Sequence, residues 1–400
     1  MVFLHTIAIA AILIQALFIF QIFQHYRYVL VKFARKRTSY RPKVALIIPC
    51  KGIDTAFDKN ISSFYQLDYD DYEMIFVTES TEDAAYNSLL GLKSRFEKST
   101  KAFSIRVLVA GVAAQGSQKL HNLLYACRSI GKDVEVFAFA DSDACVRSDW
   151  LSCLVYPLRK EKQGVSSGYR WYIPLKNNLA TLALSAMNAK VAQLLGPTIF
   201  NQAWGGSMAV RVDLFKRLGI AEIWRSAISD DLTLSREVKK AKLKVVFVPG
   251  CLVASFEQTN WQNLFEFARR QFIITRVTTP GTWWFGLFSS VFSVFGLWGF
   301  AILAFFSWQK QINEWHIFLA AAIVFFAGQM TRAFLRQRMI FRIFPADWPR
   351  MKIAAIADII GNPFWSLLML FCIVSSSVGR TIKWRGVRYK LTGPTEAVRL

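Results

Sequence analysis

The stretch Val134-Glu-Val-Phe-Ala-Phe-Ala-Asp141-Ser-Asp143 decides the predicted fold, and it is followed by Ala-Cys-Val-Arg-Ser-Asp-Trp150. Its first half is short, apolar and aromatic, which is typical of a buried strand in a parallel sheet. In an open α/β sheet, ligands bind beyond the carboxyl ends of the strands, where Asp141 and Asp143 lie. Side chains alternate along a strand, so both carboxylates share one side and can hold a hard divalent cation that grips a diphosphate. A polar turn at a strand end is the alternative.

Apolar runs and helical patterns alternate on both sides of this stretch. We predict strands at residues 44–49, 72–78, 105–109 and 134–140, with later strands near 206–211 and 244–248. Helices are predicted between them at residues 56–66, 84–95 and 117–130. Strand and helix in alternation predict an α/β fold with a mostly parallel sheet and helices on both faces.

The composition indicates that part of the chain lies in lipid. Of its 400 residues 54% are hydrophobic, including 34 Phe, which is too apolar for a purely soluble protein. The formal net charge of +22 favours nucleic acid at first sight, but the basic residues crowd the edges of the apolar stretches. That arrangement is typical of a cytoplasmic membrane face. Because no DNA- or RNA-binding motif is found, we expect no nucleic-acid partner.

The cysteines and histidines argue against disulfides and against zinc. The six cysteines show no paired spacing and are predicted to be reduced. The four histidines are far apart in the chain, which makes a zinc cluster an unlikely prediction. Oxygen ligands and a hard cation, Mg²⁺ or Mn²⁺, remain as the expected metal chemistry.

An uncharged run of 22 residues at positions 2–23 is long enough to cross a bilayer as a helix. A cleaved signal peptide is the weaker alternative, because no basic region precedes the run. By the positive-inside rule the amino terminus lies outside and the next domain faces the cytoplasm, of a bacterial inner membrane or of the Golgi or ER. The basic residues that set this orientation are Arg27, Lys32, Arg35, Lys36, Arg37, Arg41 and Lys43.

Apolar segments return near the carboxyl terminus. Residues 283–308 and 315–330 are predicted to form a helical hairpin in the membrane. Residues 353–378 are apolar but are interrupted by Gly361-Asn362-Pro363, so they form either one kinked span or a re-entrant pair of half-helices. The basic tail favours the re-entrant pair, because that arrangement keeps the tail on the cytoplasmic side. The predicted organisation is a membrane helix (1–24), a basic linker (25–43), an α/β domain (44–280), membrane or interfacial helices (281–378) and a basic tail (379–400).

Charged side chains follow other predicted strands. Glu79 and Asp83 follow the second strand, where they can accept hydrogen bonds from a base or a ribose; a solvated acidic loop is the alternative. Lys119 opens a helix, which suits phosphate or ribose oxygens; a capped surface helix is the alternative.

A second acidic pair and an arginine pair lie further along the chain. One acid of Asp230-Asp231 can be a helix N-cap residue, which leaves the other for general-base chemistry. Arg269 and Arg270 precede the membrane hairpin, where they can bind a diphosphate or only lipid headgroups.

Several short motifs occur in a recognisable order. They are Pro49-Cys-Lys-Gly-Ile-Asp54, Asp83-Ala-Ala, Gln118-Lys119 with Asn122-Leu123, Asp141-Ser142, Asp231 after a second acid, and Ile382-Lys-Trp-Arg385. In this order the chain resembles the ceramide glucosyltransferase branch of the family 2 inverting glycosyltransferases over nearly its whole length. The resemblance implies a GT-A fold, Rossmann-like, with a cytosolic domain between amino- and carboxy-terminal membrane helices.

The resemblance also implies a reaction. A hexose, with glucose as the first choice, would move from a UDP-sugar to a lipid alcohol such as ceramide. Asp83 would lie near the uridine, Asp143 would hold Mg²⁺ or Mn²⁺ on the diphosphate, and Asp141 would contact the ribose or a nearby water. Asp231 would be the catalytic base, and Arg270 would offset charge on the departing UDP. The remaining residues of the expected nucleotide-sugar site are Glu79, Lys119, Arg269 and Gln271.

One motif departs from the family pattern. The family's Gln/Arg-x-x-Arg-Trp motif falls near residues 267–271, and Gln271 stands where Trp is expected. Because that Trp helps to shape the acceptor side, the acceptor is the open question. A processive polysaccharide synthase and a catalytically inactive lipid-binding scaffold are the alternative functions.

Overall fold

A computed structural model describes residues 2–34 and 39–400, so Arg35, Lys36 and Arg37 of the predicted basic linker lie outside the described residues. Seven strands form the sheet around which the body of the molecule packs. In chain order they are β1 (Val44–Pro49), β2 (Tyr72–Thr78), β3 (Ser104–Val109), β4 (Val136–Ala140), β5 (Gln163–Pro174), β6 (Ser207–Arg211) and β7 (Lys244–Glu257).

The strand order is β3-β2-β1-β4-β6-β5-β7. The first four strands run parallel to one another, β6 is antiparallel to β4 and to β5, and β5 is parallel to β7. This confirms the predicted α/β class with a mostly parallel sheet. The strand order reverses direction beside β4, which places the end of β4 at the crevice where such sheets bind ligands.

Both faces of the sheet are covered, as the continuous apolar runs predicted. Leu46 and Ile48 of β1 pack into a core on one face, whereas Ala45 and Ile47 pack into a core on the other. All four side chains are fully buried. Fully burying a Leu or Ile side chain contributes about 2 kcal/mol, so β1 is fixed by both cores at once.

Helices surround the sheet. Ten α-helices lie before residue 280 in the described chain, one ahead of β1 and the others between or just after the strands. They are α1 (Val2–Phe33), α2 (Phe57–Tyr65), α3 (Ala84–Phe96), α4 (Gln118–Arg128), α5 (Trp150–Val155), α6 (Leu179–Ala192), α7 (Val212–Arg217), α8 (Ile220–Ser226), α9 (Asp230–Lys240) and α10 (Trp261–Thr278). The predicted helices at 56–66, 84–95 and 117–130 correspond to α2, α3 and α4. The first helix continues into the segment predicted as a linker.

Three helical segments of the described chain are long and apolar enough to cross a membrane, at residues 6–33, 280–309 and 315–343. The second consists of α11 (Pro280–Val294) and α12 (Phe300–Gln309), joined by a π-helical turn at Phe295–Gly299. The third is α13 (Trp315–Ile343), which is longer than predicted. Its last turns carry Arg332, Arg336, Arg338 and Arg342, which the sequence pattern indicated as part of a basic cytoplasmic loop, and Arg336 pairs there with buried Asp358.

The apolar segment after α13 forms α14 (Trp348–Ile360) and α15 (Asn362–Ser375), which meet at 81°. Either a broken span or a re-entrant pair has this shape. The bend falls at Gly361, where the predicted interruption lies. The carbonyl of Ala357 accepts a hydrogen bond from the Trp365 indole at 2.7 Å, which braces the bend.

The basic tail is folded. It forms an antiparallel sheet of three strands, β8 (Thr381–Trp384), β9 (Val387–Gly393) and β10 (Glu396–Arg399). We did not predict this sheet, because its apolar residues alternate with basic ones and the charge dominated the pattern. The apolar face is buried against α10 and the start of α9 in a cluster of Ile228, Ile273, Ile274, Ile382, Tyr389 and Leu391.

Candidate active site

A cavity of about 1010 Å³ opens at the carboxyl ends of β1 and β4. One end is charged, and its lining includes Lys119, Asp141, Asp143, Arg170, Asp230, Asp231, Arg270, Gln271 and Arg385. Another part of the lining is apolar and is formed by α6, the segment after it and the apolar helix at residues 280–294; it includes Leu184, Met187, Leu194, Leu195, Phe200 and Phe285. Six of the predicted site residues thus share one cavity: Lys119, Asp141, Asp143, Asp231, Arg270 and Gln271.

Lys119 is at the centre of the charged end. Its Nζ lies 2.7 Å from Oδ1 of Asp141 and 3.0 Å from Oδ2 of Asp230. Burial alone would lower the pKa of Lys119, but the carboxylates of Asp141, Asp230 and Asp231 raise it above its ordinary value. Burial raises the pKa of Asp230 in spite of the lysine. Lys119 therefore joins the end of β4 to the amino terminus of α9.

Asp143 has an unsatisfied carboxylate. Its Oδ1 is buried and accepts no hydrogen bond. Burial and the neighbouring Asp141 raise the pKa of Asp143 from 3.8 to about 6, although Arg170 opposes the shift. A buried carboxylate oxygen without a partner fits a divalent cation. Within residues 2–34 and 39–400 no three His, Cys, Asp or Glu side chains could hold a metal ion together, so donor phosphates and water would have to complete the coordination.

We expect Asp143→Asn to stabilise the metal-free protein fully at pH 7.5, by a smaller amount at pH 5, and not at all below the ordinary carboxyl pKa of 3.8. The folded pKa of Asp143 is raised, so its favourable protonation is present at low pH and is lost as the pH rises through about 6. Thermal unfolding of the purified protein in chelator should show a melting temperature a few degrees higher for the variant at pH 7.5 and a smaller difference at pH 5. Adding Mn²⁺ to protein that already holds UDP should raise the melting temperature of the wild type and leave that of the variant unchanged. An equal response of both proteins would contradict the cation site.

Asp231 is held by three donors. Its Oδ1 accepts hydrogen bonds from the Ser229 hydroxyl and from the Leu232 N–H, the latter at 2.7 Å. Its Oδ2 accepts one from the Gly205 N–H at 3.0 Å. A carboxylate oxygen has two lone pairs, so Oδ1 is saturated and Oδ2 keeps one free. Gly205 is required here, because a Cβ at this position would lie 2.1 Å from Oδ2 of Asp230.

The arginine pair is divided between two sites. Arg270 lines the cavity, donates to the carbonyl of Lys383 at 3.2 Å and lies over the Phe267 ring. Burial and, to a smaller extent, nearby Arg170 together lower the pKa of Arg270 to about 10. Arg269 instead donates to the carbonyls of residues 375 and 378, at the end of α15, at 3.2 and 3.1 Å. The structure therefore places Arg269 outside the lining of the cavity.

Glu79 and Asp83 also lie outside the lining of the cavity. Asp83 is the N-cap residue of α3, and its Oδ1 accepts from the N–H groups of Ala85 at 2.9 Å and Gly52 at 2.8 Å. Glu79 lies 2.6 Å from the Nζ of Lys51. Both contacts hold the loop after β1, so these acids shape the rim of the cavity. A direct contact of either with a nucleotide stays a prediction.

The sequence did not point to Arg170, which lines the cavity from β5. Its guanidinium lies over the rings of Tyr172, Trp204 and Phe267, at 5.1, 5.4 and 5.1 Å from their centres. Aromatic faces attract a cation, so the charge is held in place beside Asp143. Because β5 was not predicted, no sequence signal placed Arg170 near the acids.

A second missed feature is a contact between two of the quoted motifs. The Arg385 guanidinium lies 3.4 and 3.3 Å from the carboxylate oxygens of Asp54. Both residues line the cavity, Asp54 from the loop after β1 and Arg385 from the turn between β8 and β9. We had quoted both residues within motifs without giving either a role.

Two solved structures are similar to this chain at low identity. The mannosyltransferase PcManGT from Pyrobaculum calidifontis, in complex with GDP-Man and Mn²⁺, is 15% identical, with 92% of this chain and 98% of that chain covered and a TM-score of 0.43. GalNAc-T7 with UDP, GalNAc and Mn²⁺ is 11% identical, with 59% and 51% covered and a TM-score of 0.41.

The comparison with family models is more extensive. The model described as Glycosyl transferase family 21 matches residues 3–397, which is nearly the whole chain. The match includes the membrane helices, every strand of the large sheet and all residues that line the charged end of the cavity. This chain therefore belongs to glycosyl transferase family 21.

Proposed function

We propose that this glycosyltransferase is a membrane-bound inverting enzyme that moves a hexose, most simply glucose, from a UDP-sugar to a lipid alcohol such as ceramide. The observation that carries the proposal is the two-ended cavity, in which a charged end and an apolar end are continuous. A nucleotide-sugar needs the first and a lipid acceptor needs the second. The ceramide glucosyltransferases, which the sequence resemblance assigned to family 2, belong like this chain to family 21, and this supports the choice of substrates.

The charged end suits the diphosphate of the donor. Asp143 would hold Mg²⁺ or Mn²⁺ there, and the cation would neutralise charge on the departing diphosphate. Asp141 is already paired with Lys119, so it would contact the ribose or a water from a fixed position. Arg170 and Arg270 both line this end and add positive charge where the leaving group develops negative charge.

Asp231 is the proposed general base. The free lone pair on its Oδ2 would take the proton of the acceptor hydroxyl as the oxygen attacks the anomeric carbon. Attack from the face opposite the leaving diphosphate inverts the configuration. The three hydrogen bonds to Asp231 fix its carboxylate before the acceptor arrives, so no reorganisation is needed in the transition state.

The apolar end suits an alkyl chain. Ile199 and Phe200, in the segment after α6, are 74% and 73% exposed, which is unusual for side chains of this size in contact with water. Phe200 also stacks on Phe285 of α11, with ring centres 6.4 Å apart. An acceptor lipid would pass from the bilayer to Asp231 along this wall.

The folded tail supports a re-entrant arrangement of α14 and α15. The Ser226 hydroxyl donates to the carbonyl of Thr395 at 3.1 Å, so the tail contacts the α/β body directly. Three crossings, by α1, by α11 with α12, and by α13, return the chain to the side of that body. A fourth crossing would carry the tail to the opposite side, away from its contacts. The basic residues near α1 support a cytoplasmic position of the body.

The proposal is tested by UDP release from UDP-glucose in membranes that contain the overexpressed protein. We expect release to rise on addition of ceramide and to yield one product of single-sugar mobility on a thin layer. A ladder of larger products would favour a processive synthase. No release above that of membranes lacking the protein, with any UDP-sugar or lipid, would favour an inactive scaffold.

A further inference from the structure

Arg385 occupies a turn position that does not favour it. Trp384 pairs with Val387, so Arg385 and Gly386 alone form the turn between β8 and β9. Both have positive φ, 46° for Arg385 and 84° for Gly386. Such two-residue turns favour Asn or Gly at the first position, because a longer side chain is strained there. The backbone conformation therefore does not explain an arginine at this position, whereas the contacts of its side chain do.

The side chain reaches a site that is rich in carboxylates. Arg385 faces Asp54 and lines the same cavity as Asp141 and Asp143. The position of the turn is fixed from behind by the buried face of the tail sheet and by the hydrogen bond from Arg270 to the carbonyl of Lys383. A rigid scaffold thus holds a planar, bidentate cation at the charged end.

The contact with Asp54 is weak for an arginine–carboxylate pair. Its distances of 3.3 and 3.4 Å exceed the 2.7–2.9 Å that is typical of charge-assisted hydrogen bonds. The side chains are 50% and 38% exposed, and exposed pairs of this kind add little stability. The guanidinium can therefore exchange Asp54 for another anion at little cost.

We propose that Arg385 is a ligand of the donor diphosphate, and that Asp54 holds its guanidinium until the donor arrives. This rests on the proposed function, since it assumes a nucleoside diphosphate at the charged end. Phosphate oxygens match the guanidinium fork as carboxylate oxygens do. The tail sheet is then a working part of the active site, because it carries one of the donor's ligands to the cavity.

The test compares the affinities of full-length protein in detergent for UDP and for uridine, both with Mn²⁺ present. Arg385→Ala should weaken UDP binding about tenfold, the loss expected for one hydrogen-bonded charge. It should leave uridine binding unchanged, because uridine has no phosphate. Arg388→Ala is the matched control, since Arg388 is exposed on the same hairpin and does not line the cavity, and it should bind UDP like the wild type. Asp54→Asn should bind UDP at least as tightly as the wild type.

The outcomes separate the inference from the proposed function. If the wild type binds UDP and Arg385→Ala binds it equally well, the inference is overturned and the proposed function stands. Equal losses for UDP and uridine also overturn it, because they indicate a displaced tail sheet. Weaker UDP binding by Asp54→Asn overturns the exchange with Asp54. A wild type that binds no UDP overturns the proposed donor and, with it, this inference.

Discussion

Replacement of Asp231 by Asn is expected to reduce sugar transfer about a thousandfold while UDP binding changes by less than about threefold. A general base contributes about 10²–10⁴ to the rate, and an amide cannot accept the proton. The binding of UDP should survive, because Asp141, Asp143 and Lys119 remain in place. Transfer is measured with labelled UDP-glucose and lipid, and UDP affinity by calorimetry. Parallel losses of transfer and of UDP affinity would contradict a role as base.

The same variant has a structural cost that must be measured alongside. Both oxygens of Asp231 accept from backbone N–H groups, those of Gly205 and Leu232. An amide NH₂ that faces Gly205 leaves its N–H without an acceptor, whereas one that faces Leu232 removes one of two acceptors, because the Leu232 N–H also donates to the Ser229 hydroxyl at 3.2 Å. The penalty for one buried unsatisfied donor is about 1–3 kcal/mol. We therefore expect a lower melting temperature, and transfer must be compared at a temperature where the variant is folded.

Replacement of Lys119 by Met is expected to have the largest effect on stability. The lysine is the shared partner of Asp141 and Asp230, and its side chain is only 16% exposed. Without it, two neighbouring carboxylates lose their counter-charge, and breaking a buried ion pair from one side costs about 3 kcal/mol or more. Denaturant or thermal unfolding of the detergent-solubilised protein at pH 7.5 measures the loss.

A second substitution separates charge from packing. Adding Asp230→Asn to Lys119→Met removes one of the two stranded carboxylates. The double variant should regain a substantial part of the lost stability, even though it carries more changes than the single variant. If it is as unstable as the single variant, the lysine acts mainly through the packing of its alkyl chain. Lower pH should also relieve the single variant, because protonation removes the same charge.

The parts of the fold that the sequence predicted well are those with a strong local pattern. Largely apolar runs marked β1, β2 and β4, and each strand was found within two residues of its predicted bounds. The acids and the lysine at the crevice were also found together, because the carboxyl ends of neighbouring strands and the starts of the following helices meet at one edge of such a sheet. Local pattern and global topology agree at these positions.

The missed elements lack such a pattern. The middle of β5 contains Ser166, Ser167 and Gly168, which is a weak strand signal on its own. Gly168 is nevertheless required, since a Cβ there would lie 1.8 Å from the carbonyl oxygen of Cys251 on β7. Likewise β7 extends past a Pro-Gly pair that indicates a turn. Both strands are stabilised by their long pairing with each other, and β5 also pairs with β6 on its other side; these are tertiary contacts that no local pattern shows.

The two adjacent arginines, Arg269 and Arg270, show a different limit of prediction from sequence. Arg269 and Arg270 are adjacent in sequence, but successive residues of a helix point about 100° apart, so they cannot share one ligand from a single face. One side chain meets the cavity and the other meets the end of α15. Sequence spacing alone could have warned of this, whereas the identity of each partner required the tertiary structure.

The apolar cluster beneath the sheet edge has a practical consequence. It combines Trp171 and Ile173 of β5 with Met339 and Ile340 of α13 and with Val29 of α1, all of them buried. The α/β body and the apolar helices α1 and α13 therefore share one core and are not separate modules joined by a linker. A fragment that lacks α1 and α13 would expose this large apolar surface to water. The enzyme therefore has to be studied as the full chain, because helices α1 and α13 form part of the core on which the large sheet packs.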